Sequence, residues 1–334
     1  VKTSLRAMQA APLVGAQNEI SGGRAVGVAF ALAGAALFSM KAIFVKLAYG
    51  VADLEPITLL FLRFGFAMPI YLGVLVWSLR KGPMPHKVAL QAFVLGLLGY
   101  HLCAWVDFAG LQYITAQLER LILFTYPAFV VVLGGLFFGH TIRLSGLAAI
   151  ALAYSGIAIV FVGGDIASGT NVPLGSALIL ACAFLFAIFQ LMAKPRIDTM
   201  GGVRFTCVAM LGATFGVMIH YLVQTYALGA GDRLEELTGY LLLIGFMLGV
   251  VCTILPSFLT NIALGRIGAQ GVAVLAMIGP VVTIIAAVLV LKEPFGRVDA
   301  LGTLVTLSGI ALYTVLENRA KARQRKTMPT AETR

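Results

Sequence analysis

The chain has 334 residues, 60% of them hydrophobic and only 11% charged. Soluble domains carry about 25% charged residues, and one of this length could not hide so much apolar surface, so the composition excludes a soluble globular protein. The net charge of +10 is gathered in short segments between apolar runs and in the C-terminal tail. That placement excludes a nucleic-acid partner and matches the positive-inside pattern of membrane proteins.

Residues 1–24 are low in hydrophobicity and lack the apolar core of a signal peptide, so a disordered cytosolic tail is expected there. Ten apolar spans follow: 25–47, 56–78, 88–111, 115–138, 143–163, 173–194, 203–226, 238–263, 269–291 and 298–317. Each is close to the ~20 residues a spanning helix needs, and none shows the ten-residue alternation of a barrel strand. The fold class expected is an all-α integral membrane protein. Residues 318–334 form a basic tail whose Arg319, Lys321, Arg323, Arg325 and Lys326 anchor it at a membrane face or touch anionic lipid.

Lys and Arg decide the orientation. With the N-terminus inside, sixteen fall in cytoplasmic segments and four (Lys46, Arg233, Lys292 and Arg297) in outer ones. The expectation is a multi-pass protein of the cell (plasma or inner) membrane with both termini in the cytoplasm.

An internal repeat organises the chain. Ala116, Gln117 and Pro127 fall on Ala269, Gln270 and Pro280 at a shift of 153, which also carries Ser155-Gly156-Ile157-Ala158 onto Ser308-Gly309-Ile310-Ala311. The first span meets the sixth at a shift of 148, pairing Lys46 with Lys194, and Arg63-Phe64 meets Arg204-Phe205 at 141. Five spans per repeat is an odd number, so the second half inserts upside down. Ten transmembrane helices thus form two inverted five-helix repeats, a device that recurs in secondary transporters and places the substrate site between the halves near the midplane. Channels share it.

These residues carry a resemblance. The stretches FSMKAIFVKLAYG (38–50) and GYHLCAWVDFAGLQYITAQLERLILFTYPAF (99–129), and the run from Pro280 to Glu293, resemble the EamA-type transporters of the drug/metabolite transporter superfamily. The resemblance covers two EamA units, 25–163 and 173–317. It implies ten spans and export or exchange of small metabolites, often amino acids. Such units commonly end the fourth span with Gly-Glu. Here the first unit reads Gly139-His140 and the second Lys292-Glu293.

Ionisable residues inside a span mark a pathway or a paired site. Lys41 lies about 14 residues into the first span, roughly 21 Å from its cytoplasmic edge. Asp107, Glu119, Arg120 and Arg63 fall at comparable depths, so five ionisable groups share the outer half of the first repeat. One cation is in excess, a candidate partner for a carboxylate or for a proton-coupled change of state. At the repeat shifts Lys41 meets Phe189, Asp107 meets Thr260, Glu119 meets Val272 and Arg120 meets Ala273. The second half builds the same scaffold without these charges, so the scaffold does not require them. Two readings stand: a substrate or proton pathway, and a static clamp in which Asp107 and Glu119 satisfy Lys41 and Arg120.

Gly96, Gly99, Tyr100, Cys103, Asp107 and Gly110 share one helix face, which either packs closely or lines a cavity. Tyr100, Tyr126 and Gln190 are candidate cavity residues. Arg63, answered by Arg204 in the repeat, reads as structural, and Gln117 and Gln270 as caps or interhelical bonds. Pro127 and Pro280 are hinges or fixed kinks. The four cysteines lie in apolar runs without metal-ligand spacing. His101 and His220 read as packed or interfacial. No Walker A, HExxH or Gly-x-Ser-x-Gly sequence occurs, so neither enzyme chemistry nor a cofactor or metal is expected.

The function expected is secondary transport, as an exporter, of a small zwitterionic or anionic metabolite such as an amino acid, with protons as a candidate coupling ion. The alternatives are a flippase for a lipid-linked substrate and a non-transport membrane sensor or structural protein. The sequence leaves cargo and oligomeric state open.

Overall fold

The computed structural model describes residues 25–80, 82–138, 144–165, 167–230, 232 and 238–327. Among them, nine helices are long and apolar enough to cross a membrane. They are α1 Ala25–Val51, α2 Pro56–Leu79, α3 His86–Leu111, α4 Ala116–Phe137, α5 Gly146–Gly163, α6 Val172–Met200, α7 Gly202–Ala227, α8 Gly239–Ala263 and, last in the chain, α10 Arg297–Leu316. Between α8 and α10 lies α9, the shorter apolar helix Ile278–Leu291. The protein is an all-helical membrane protein. Large apolar side chains such as Val162, Phe137 and Leu136 are left exposed on its outside, where lipid is the solvent that suits them.

Two boundaries differ from the sequence reading. α6 runs on past Lys194 to Met200 with Pro195 inside it. The extra turn is held by tertiary contacts: Met200 is buried and Ile197 packs beside it, and Arg196 Nε donates to Gln91 Oε1 of α3 at 3.0 Å; the exposed Lys194–Asp198 pair adds little. Between α8 and α9 the helical pattern continues over Leu255–Ala276, where a loop at 264–268 was expected. The chain nevertheless turns back there. Gly34 of α1 lies beside Leu259 and Thr260, Gly27 beside Arg266 and Ile267, and Ser39 beside Gly279. Residue number therefore falls along α1 as it rises to 267, then climbs again by 279.

Close backbone contact between helices needs small residues. A Cβ at Gly96 of α3 would stand 1.9 Å from the Ala209 carbonyl oxygen of α7, and one at Gly156 of α5 would stand 2.4 Å from Thr306 N of α10. These are the α3–α7 and α5–α10 seams. The main core lies where α2, α3, α7 and α8 meet, with Ile57, Leu60, Phe64, Phe108, Tyr221 and Leu248 all buried. Tyr221 stacks on Phe61 at 4.2 Å between ring centroids.

Several helices are interrupted. α1 breaks at Met40, between Ser39 and Lys41. α4 breaks at Phe124–Thr125, just before Pro127, and the run into α9 breaks at Met277, three residues before Pro280. Proline removes one helical N–H and crowds the preceding turn, which accounts for both positions. α3 widens to a π-helix over Leu97–Leu102 and α8 over Met247–Ile254. At the repeat shift of 153 these two stretches overlap.

Candidate functional site

The break in α1 sets the site. It leaves the Ser39 carbonyl accepting from Arg120 Nη2 at 3.4 Å and from Thr283 Oγ1 of α9 at 3.1 Å. Lys41 begins the next helical stretch and points at α3, where its Nζ ion-pairs with Asp107 Oδ2. The same Nζ lies 3.8 Å from Glu119 Oε1 on α4, and Glu119 Oε2 lies 3.7 Å from Arg120 Nε. The structure thus joins Lys41, Asp107, Glu119 and Arg120 into one chain of alternating charge across α1, α3 and α4. All four side chains are buried, Glu119 completely.

Thr115 fixes the approach of α4. Its side chain accepts from Leu118 N at 3.2 Å, an N-cap that starts the helix one turn before Glu119 and Arg120. The α1 break does the same for Lys41, by turning the following helix so that its first residue faces α3.

The polar groups of the cluster are not all used. Asp107 Oδ1 and both carboxylate oxygens of Glu119 are buried with no donor, and Arg120 Nε with no acceptor, among the described residues, while the Asp107 and Glu119 carboxyl groups lie against each other. Burying such groups unbonded is costly, and most buried polar atoms in proteins are satisfied.

Arg63 sits apart from this chain. Its Nε donates to Thr253 Oγ1 of α8 at 2.8 Å, and its guanidinium lies over the Phe108 ring at 5.7 Å. Lys41 lies 6.0 Å from the centroid of the same ring, so both cations adjoin Phe108.

The candidate aromatics form a second layer. Tyr126 meets Phe186 edge-on at 5.2 Å and bonds Gln190 of α6. Phe186 stacks on Phe189 at 6.0 Å, and Phe189 meets Tyr100 of α3 at 5.0 Å. Tyr100 stands seven residues before Asp107, and Tyr126 seven after Glu119, or about 10 Å along each helix. The small-residue face of α3 is packed rather than open. Gly99 abuts Phe189, Cys103 Sγ lies 3.1 Å from Cys182 Sγ, and Gly110 abuts Ile179.

Gln117 Nε2 donates to the Pro294 carbonyl at 3.1 Å. The Gln270 side chain lies outside the described residues, as do Gly139 and His140. His101 Nε2 and His220 Nδ1 are 3.2 Å apart, with Trp105 against His220. Two contributors escaped the sequence. One is the Ser39 carbonyl, a backbone group that no residue type announces. The other is Glu293, whose partners stand 176 and 177 residues away; its Pro-then-acidic context was the signal.

A ten-helix repeat with a buried ionic cluster beside broken helices defines a membrane transporter architecture. The model of the EamA-like transporter family matches residues 25–162 and 173–315, and the chain belongs to that family. It is similar to the "Uncharacterized transporter YcbK" of Bacillus subtilis (strain 168), 28% identical with 83% of this chain and 89% of the relative covered. It is also similar to a "Probable amino-acid metabolite efflux pump" of Escherichia coli (strain K12), 26% identical over 80% of this chain and 88% of the relative. A crystal structure 15% identical in sequence matches the fold with a TM-score of 0.59, covering 88% of this chain and 98% of that one.

Proposed function

We propose that this transporter exports a small zwitterionic or anionic metabolite by alternating access between 25–163 and 173–317. The observation that carries the reading is the buried Lys41–Asp107–Glu119–Arg120 chain with its unbonded carboxylate oxygens. An intramembrane charge network that the repeated scaffold does not need is expensive to keep without a task. Lys41 and Arg120 offer cations to a substrate carboxylate. Asp107 and Glu119 offer acceptors to an ammonium group or a proton. Tyr100, Tyr126 and Gln190 supply a wall with polar edges. The Escherichia coli relative, named for amino-acid metabolites, supports an amino acid or a derivative as cargo. The charge distribution supports a cell-membrane setting with both termini in the cytoplasm.

The test is exchange of labelled amino acids across liposomes holding the purified protein, with Lys41→Ala and Asp107→Ala in parallel. Wild-type exchange that both variants lose supports the reading. Full exchange with unchanged pH dependence in both variants would remove the cluster from the pathway.

A further inference from the structure

Glu293 follows α9, and its carboxylate lies across the start of α4. Oε1 accepts from Ala116 N at 2.9 Å and Oε2 from Gln117 N at 3.3 Å. With the Gln117–Pro294 bond, three contacts tie the segment after α9 to the first turn of α4. The preceding end of α3 is closed by Lys46, whose Nζ donates to the Leu111 and Ile114 carbonyls at 3.2 and 3.1 Å. A carboxylate at a helix N-terminus and an ammonium at a C-terminus each suit the helix dipole. At the same end of the bundle, Glu55 N donates to Asp232 Oδ2 at 2.9 Å and Gln224 Nε2 to Glu55 Oε2 at 3.1 Å. These contacts tie this end across both halves of the sequence; at the opposite end Arg204 of α7 likewise donates to Ser78 and to the Gly82 and Pro83 carbonyls.

Glu293 reaches α4 because Lys292 turns the chain. Lys292 has φ 57° and ψ 29°, and among the described residues it is the one non-glycine with positive φ. A Cβ disfavours that left-handed conformation. At the repeat shift of 153, Lys292 matches Gly139 and Glu293 matches His140. The first half puts the residue suited to the turn where the second half puts a strained one. The second half puts the carboxylate where the first puts a histidine, which cannot offer two anionic oxygens.

We propose that Glu293 is a latch that holds this end of the transporter shut. The inference rests on the alternating-access reading. While the carboxylate caps α4, opening at this end, the outer one in the proposed orientation, is disfavoured. Release of cargo requires the carboxylate to leave the α4 amides. The strain at Lys292 is relieved in that step, which keeps the latch from being permanent.

The experiment is distance measurement between spin labels on Val51→Cys and Leu228→Cys, both exposed at this end, in the full chain in lipid nanodiscs. Glu293→Gln should raise the ratio of long to short distances on the order of tenfold, as a charge-assisted cap becomes a neutral one. Lys292→Gly keeps the carboxylate and removes the strain, and should lower that ratio by about fivefold. It also serves if Glu293→Gln does not fold. Wild-type distance distributions in both variants would overturn the latch. Liposome exchange is read alongside. Exchange with unmoved distances overturns the latch alone. Shifted distances without exchange of any solute uphold the latch and count against the transport reading.

Discussion

Removing Lys41 should cost more stability than removing Asp107, although the two form one ion pair. Asp107 has Lys41 as its single ion-pair partner among the described residues, whereas Lys41 keeps Glu119 Oε1 at 3.8 Å when Asp107 is gone. At an effective dielectric near 20, charges at that separation attract by about 4 kcal/mol. Asp107→Leu therefore leaves Lys41 partly compensated, and a cost of ~2 kcal/mol is expected. Lys41→Met leaves a carboxylate that is 2% exposed without its ion-pair partner, with Arg120 and Arg63 acting on it only at longer range, and a cost of ~4 kcal/mol is expected, within the range for breaking buried pairs. The double variant Lys41→Met/Asp107→Leu removes both charges and should cost ~3 kcal/mol where additive losses would give ~6, a coupling energy of ~3 kcal/mol. Unfolding in mixed micelles at fixed detergent composition measures all four proteins, and liposome exchange is run on the same preparations. Additive costs in the double variant would refute the pairing. A double variant that is stable and still exchanges solute at the wild-type rate would reduce the cluster to a clamp.

Three further outcomes are expected. Gly96→Ala puts a Cβ 1.9 Å from the Ala209 carbonyl and should cost about 3 kcal/mol by forcing α3 from α7, while Gly73→Ala, where a Cβ meets open space, should stay within about 0.5 kcal/mol of wild type in the same unfolding assay. Thr115→Ala removes the acceptor for Leu118 N and should cost about 1 kcal/mol, seen as faster hydrogen exchange at that amide. Copper–phenanthroline should oxidise Cys103 and Cys182, two free thiols 3.1 Å apart, to an intramolecular disulfide that joins α3 to α6; loss of two hydrogens by mass and arrest of exchange, both reversed by dithiothreitol, are the readouts, and Cys103→Ser should abolish them.

The sequence exposes what depends on composition and spacing. Apolar runs near 20 residues give the helices, since lipid leaves few other ways to satisfy a backbone. Lys41, Asp107, Glu119 and Arg120 stand out because charge is scarce in a span, and the structure brings the four together. What depends on backbone hydrogen bonding is hidden. No proline or glycine announces the break at Met40, so the carbonyl that receives Arg120 and Thr283 carries no signature. The continuation of α6 through Pro195 is hidden for the opposite reason: a proline signals an ending, but the residues beyond it are held by tertiary contacts, with Ile197 and Met200 packed against the α3–α7 core and Arg196 bonded to Gln91 and the Met192 carbonyl. The small-residue face of α3 fits a cavity and a seam equally well on spacing alone; only the partners Phe189, Cys182 and Ile179 decide for a seam.

The widened turns of α3 and α8 carry a historical consequence. A π-helical stretch holds one residue more than the α-helical ladder needs, so it records an insertion. Leu97–Leu102 and Met247–Ile254 overlap when the two halves are superposed in sequence. An irregularity at the same place in both halves is what copying of a five-helix unit that already held it would leave. The four charges of the cluster have no counterpart in the second half, so the repeat separates a widened turn common to both halves from an ionic cluster that belongs to one.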